Sequence, residues 1–321
     1  MVKTTADRCA KKLLRWKVIK EYNSYILAGG IFFIFMAIVL IAFEAWNTPK
    51  GQYADVGEYS LMILGNIFIV LLTVGVLFVV NMRYKTWKRL ALSEPSFSKA
   101  VVNVLVKRRW KLNSLKHKVV IAMLGDIGNK FATSFIISAL KSGDSDTRKK
   151  SIDAIGKIHD TIAIKPLVGA LEDNDDINRI KAAETLDKLA WKPQNSTEKA
   201  IYLLAKQDWT KLINLGEPAV KVLISALTNY GSEIRLKSVI TLGEIASKVR
   251  YLGDKAVDAL IYALTDKNKL VRSHAARTLG IIGAEKAIEP LKKASKSDTD
   301  VRVVGEARHA IKKILEKHKD K

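Results

Sequence analysis

Cysteine is almost missing from this chain of 321 residues: Cys9 stands alone. A single thiol excludes an intramolecular disulfide and a cysteine metal cluster, and it suits a reducing compartment. Histidine is nearly as sparse. The five histidines, His117, His159, His274, His309 and His318, are scattered and form no ligand spacing. Aromatic residues make up only 7% of the chain, and no aromatic stripe accompanies the basic residues, as base stacking would want. Nucleophile elbows and paired carboxylates are absent as well. The stretch GDIGNK at 125–130 has the look of a phosphate loop but lacks the four-residue gap and the following Ser or Thr. Catalysis finds no support in these residues: no enzyme activity, no cofactor and no metal site is expected.

Acidic residues are in short supply too. Lys and Arg number 54 against 32 Asp and Glu, a net charge of +22. The excess is uneven, with 19 basic and 6 acidic residues in 1–120 and 35 against 26 in 121–321. Within the more basic part lie two long apolar runs. Residues 26–46 carry one charge, Glu44, and residues 61–80 carry none. A helix of about 20 residues crosses the roughly 30 Å hydrocarbon core of a bilayer. Basic residues flank both runs on their outer sides, while the connecting loop holds only Lys50 with Asp55 and Glu58. The positive-inside rule then places both termini in the cytoplasm. Tyr84 and Trp87 read as interfacial aromatics, and Arg83, Lys85, Lys88, Arg89, Lys107, Arg108 and Arg109 as residues facing lipid phosphates. The expected localisation is a two-span membrane protein, with the lipid bilayer as one partner.

What the remaining two thirds has is repetition. Helix-period stripes recur as first helices at 129–140, 160–171, 216–227, 253–264 and 284–295, and as second helices at 116–127, 147–158, 178–189, 234–245, 271–282 and 301–314. No such helix pair covers its own apolar stripe, so neighbours must cover it. The closest copies are GEPAVKVLISAL (216–227) and VRSHAARTLGIIG (271–283). These resemble the first and second helices of the HEAT-repeat family, in particular the short HEAT-like repeats of the phycobilin-lyase type. The resemblance implies an all-α fold, an α-solenoid of helical repeats, preceded here by the transmembrane hairpin. It is specific for fold and poor for function. A lyase-like enzyme subunit is the activity it would suggest, and two membrane spans fit that badly.

The chain so read divides into a basic cytoplasmic segment (1–25), a first transmembrane helix (26–46), an external loop (47–60), a second transmembrane helix (61–82), a basic juxtamembrane linker with an amphipathic helix (83–112), the repeats (113–316) and a basic tail (317–321). A helical insertion is expected at about 191–215, with Asn195 and Asp208 as helix starts. Its Trp191 and Trp209 are expected as local core.

One column threads the repeats. Arg148, Arg179, Arg235, Arg272 and Arg302 each open a second helix just after a turn, and most of these turns contain Asp. Asp caps helix starts and Arg bridges to carboxylates of adjacent turns, so this column is expected to be structural. The outward positions of the second helices form the candidate binding surface: Lys149, Lys150, Lys157, Lys181, Lys188, Lys237, His274 and Arg277. Solenoids offer such faces to partners. The expected function is a scaffold or adaptor binding a protein with an acidic surface. An anionic lipid or nucleic acid is the alternative, and nucleic acid is the less favoured because acidic residues interleave with the basic ones.

Overall fold

The computed structural model describes residues 5–17, 19, 81–92, 95–108, 114–249 and 252–319. All regular structure among them is helical. The chain divides into two units, 1–160 and 161–321.

In the first unit, α1 (5–17) and α2 (81–92) precede α3 (Pro95–Arg108), α4 (Ser114–Ile127), α5 (Thr133–Ala139) and α6 (Ser145–Ile158). Ala6, Cys9, Ala10 and Leu13 follow the i, i+3, i+4, i+7 pattern of a single helix face, and all are buried. Burial pushes the Cys9 thiol up to about 11, so it stays protonated and unreactive. Helix α3 buries Val101, Val102 and Leu105, packs on α4, and is tied to the turn before α5 by Asn129 donating to Ser98 Oγ (2.9 Å).

Asp126, at the end of α4, joins three further elements. Its carboxylate accepts from Tyr84 (2.8 Å) on α2, from Lys157 (2.7 Å) on α6 and from Lys17 (3.2 Å) on α1. Burial alone would raise its pKa. The Lys157 hydrogen bond, the Lys17 charge and the Tyr84 hydroxyl outweigh it, and hold the carboxyl at about 2 against an ordinary 3.8. A depressed carboxylate pKa stabilises the fold above the unfolded value, and that stability is lost as pH falls through the folded value. Asp126 is therefore expected to contribute about 2 kcal/mol above pH 4, disappearing between roughly pH 4 and 2. Asp126→Asn should remove this component: urea unfolding followed from pH 7 to pH 2 should show a lower plateau and a shallower acid limb. Identical curves would show that the cluster adds nothing.

The sequence reading of localisation is corrected. No helix among the described residues is long and apolar enough to cross a membrane, and the expected two-span placement with cytoplasmic termini is set aside on that finding. The apolar runs 26–46 and 61–80 that suggested it lie outside the described residues. Of the flanking residues, two aromatics and a lysine have partners within the first unit. Tyr84 is buried on a carboxylate, Lys17 is spent on Asp126, and Trp87 lies beneath Lys12, whose Nζ is 4.9 Å from the ring. Arg83, Lys85 and Arg89 are exposed and Lys88 is half-buried. The side chains of Lys107 and Arg108, and all of Arg109, lie outside the description.

In the second unit the pairs are α7 (Ile164–Ala170) with α8 (Asp176–Lys188), α11 (Glu217–Asn229) with α12 (Ser232–Lys248), α13 (Asp254–Ala263) with α14 (Lys269–Ile282), and α15 (Ile288–Ser297) with α16 (Val301–Lys319). Two helices, α9 (Ser196–Ala205) and α10 (Trp209–Leu215), stand between α8 and α11. Asn195 caps α9 by accepting from the Glu198 amide (2.8 Å), while Glu198 accepts from the Gln194 amide (2.8 Å). Asp208 caps α10 by accepting from the Lys211 amide (3.1 Å). Trp191 meets Tyr202 edge-on at 5.8 Å, and Trp209 packs on the core. From α9 to α16 that core is one cluster, running through Leu223, Leu242, Leu260, Leu279 and Leu291, each such side chain worth about 1.5–3 kcal/mol when buried.

Successive second helices approach closely where small residues face each other. Gly280 on α14 meets Ala310 on α16, and Gly243 on α12 meets Thr278 on α14. In the first unit Gly125 meets Ala154 in the same way.

Candidate interaction surface

The arginine column lies on the turns that open the second helices. Arg148 donates to the carbonyls of Ser142 (2.9 Å) and Gly143 (3.2 Å). Arg179 donates to the Asp173 carbonyl (2.7 Å), pairs with Asp176 and stacks 3.8 Å above the Tyr230 ring. Arg235 binds the Tyr230 carbonyl and forks onto Asp266 of the next turn (2.6 and 2.9 Å). Arg272 repeats the arrangement, holding the Asp266 carbonyl and forking onto Asp298 (2.7 and 2.9 Å). The fork holds Asp298 below the ordinary carboxylate range. Arg302 is exposed, 3.5 Å from Asp300. The turns at Asp266 and Asp298 thus each receive the guanidinium of the pair before them, and bidentate geometry fixes the register of those pairs.

Asp266 does not cap α14; Asn268 does, accepting from the Leu270 amide (2.9 Å). Asp266 sits two residues earlier, where it takes both the Asn268 amide and Arg235. Asp298 fills the same role and was not singled out. The pattern Asp-x-Asp/Asn at 173–175, 266–268 and 298–300 carries the signal.

The candidate surface residues separate by environment. In the first unit Lys149 and Lys150 are half-buried, and Lys157 is engaged by Asp126. In the second, Lys188 and Lys237 are exposed and Lys181 is half-buried. His274 and Arg277 come together in a groove of about 760 Å³ between α14 and α16. Leu270 and Ile281 give it an apolar lining; Arg302, His309 and Lys313 line it from α16. Glu306, which the sequence reading overlooked, accepts from both Nε and Nη2 of Arg277. Arg277 is the largest cause holding the Glu306 carboxyl below its ordinary value, and His309 and His274 add to it. Burial, with Arg277 next, lowers His274, so this imidazole is neutral at pH 7.

No group of His, Cys, Asp and Glu among the described residues is arranged to hold a metal ion.

Comparison with known proteins bears on the fold. Among solved structures, an engineered protein is 24% identical, with a TM-score of 0.31 over 67% of this chain and 96% of that one. Human deoxyhypusine hydroxylase in complex with glycerol is 16% identical, with a TM-score of 0.33 over 73% of this chain and 91% of that one. A second engineered protein is 21% identical, with a TM-score of 0.31 over 98% and 95%. No curated protein matches. The family model for HEAT repeats matches residues 113–187 and 220–312, more than half of the chain, and does not single out the phycobilin-lyase type. Together with the stacked helix pairs, this match shows that the chain belongs to the HEAT-repeat family.

Proposed function

We propose that this chain is a non-catalytic scaffold that binds a protein with an acidic surface through the exposed face of its second helices. HEAT repeats suit this role because a stack of pairs offers a long face without needing a deep pocket. The observation that carries the reading is the division of labour among the cations. Arg235 and Arg272 are consumed by the turns, whereas Lys188, Lys237, Arg277 and Arg302 on the second helices stay exposed. Exposed charge of one sign accelerates and selects association with the opposite sign.

Site-specific photo-crosslinking of the full chain in its native cells tests this. A photoreactive residue at Lys188 or Lys237 should give discrete protein adducts, several times more abundant than one at Lys221 on α11 or Lys292 on α15, which are exposed on first helices. Equal yields from both sets would overturn the assignment. Adducts that vanish on nuclease treatment would replace it with the nucleic-acid reading.

A further inference from the structure

Resting on the scaffold reading, we propose that the α14–α16 groove receives an extended acidic segment of a partner, and that Glu306 occupies the position such a segment's carboxylate would take. Arg277 lines the α14 side of the groove. Its side chain is 57% exposed, yet its guanidinium is turned onto Glu306, which is only 21% exposed. An exposed ion pair contributes little, so exchanging the internal carboxylate for an external one carries a small penalty. Around that carboxylate stand Arg277 and His274 from α14 and His309 one turn along α16. Lys313 and Arg302 extend the cationic line along α16, with Asp300 offsetting Arg302 in part.

The groove also has the shape for a chain rather than a point ligand. Gly305 is exposed, and a Cβ built on it would meet nothing within 4 Å. The matching positions three residues after the earlier column arginines, Ser151, Ala182, Ser238 and Ala275, are all buried. A peptide backbone can therefore approach α16 closely at Gly305. Leu270 and Ile281 supply apolar contact between the cations. The matching occupant is a segment of carboxylates with apolar residues spaced among them.

A fluorescein-labelled peptide of alternating Glu-Glu and Leu tests this with the full chain, by anisotropy at low ionic strength. Arg277→Ala is expected to weaken binding about fivefold or more, the equivalent of about 1 kcal/mol. Gly305→Phe, which fills the groove and keeps every charge, should weaken it comparably while leaving the melting temperature within a few degrees. Glu306→Gln should tighten binding about threefold by freeing Arg277, and Glu316→Gln on the same helix should change it less than twofold. Equal tightening by the two Glu substitutions would reduce the effect to net charge and overturn the groove. Binding indifferent to Arg277→Ala and Gly305→Phe but lost with Lys188→Ala and Lys237→Ala would overturn the groove and leave the scaffold reading standing. A peptide that does not bind the unaltered chain also overturns the groove, and the crosslinking result alone then decides the scaffold reading.

Discussion

Gly280→Ala is expected to destabilise the second unit by about 1–3 kcal/mol, the usual cost of overpacking a tight interior, although the same change in an open helix stabilises. A Cβ on Gly280 would lie 2.8 Å from the Ala310 Cα and 2.9 Å from its Cβ. Backbone on α16 cannot rotate away as a flexible side chain would, so α14 and α16 must separate and lose contact along their length. Gly305→Ala is the matched control: nothing stands within 4 Å, and exchanging Gly for Ala in a helix gains up to about 1 kcal/mol. For a unit of this size each kcal/mol moves the melting temperature by about 2–4 °C. Thermal melts should therefore shift in opposite directions for the two variants. A Gly280→Ala melt at or above the unaltered value would refute the close approach. Gly125, 2.6 Å by the same construction from the Ala154 Cα, should repeat the loss in the first unit.

Arg179→Ala should cost about 2–5 kcal/mol, the range for truncating a large buried side chain and leaving a cavity. Arg179 is 2% exposed and the largest fully buried side chain. Its removal leaves the Asp173 carbonyl without that donor, uncovers the Tyr230 ring face and opens a cavity. Arg179→Lys should recover less than half, because an ammonium neither stacks flat on the ring nor reproduces the planar fork. Arg302→Ala, at the same column position but exposed, should fall within about 0.5 kcal/mol of the unaltered chain. Urea titrations at constant slope separate these cases. If Arg179→Ala and Arg302→Ala cost the same, burial is not what distinguishes the column's members.

The repeats were legible because their signal is local. Stripes such as Val257, Leu260 and Leu264, or Ala275, Ala276 and Leu279, announce both the helix and its buried face within a dozen residues. The caps Asn195 and Asp208 were legible for the same reason. Partners across the fold were not. Lys17, Tyr84 and Asp126 are separated by 42 to 109 residues, and nothing in their own neighbourhoods marks them as one cluster. Tyr84 beside basic residues reads as an interfacial aromatic, and only the arrival of Asp126 shows that its hydroxyl has an interior use. Glu306 escaped notice likewise. On its own helix it is one acid among bases, and its meaning comes from Arg277 on the helix alongside. The column itself was visible as spacing, but which carboxylate serves which arginine depends on how one pair sits on the next.

Asp126 has a consequence for how α1 and α2 are held. Lys17 and Tyr84 touch the same carboxylate oxygen, and Cys9 reaches the Trp87 carbonyl. One acid therefore fastens both helices to the end of α4. Force pulling on α1 or α2 would be borne by that clasp before it reached α4 and α6.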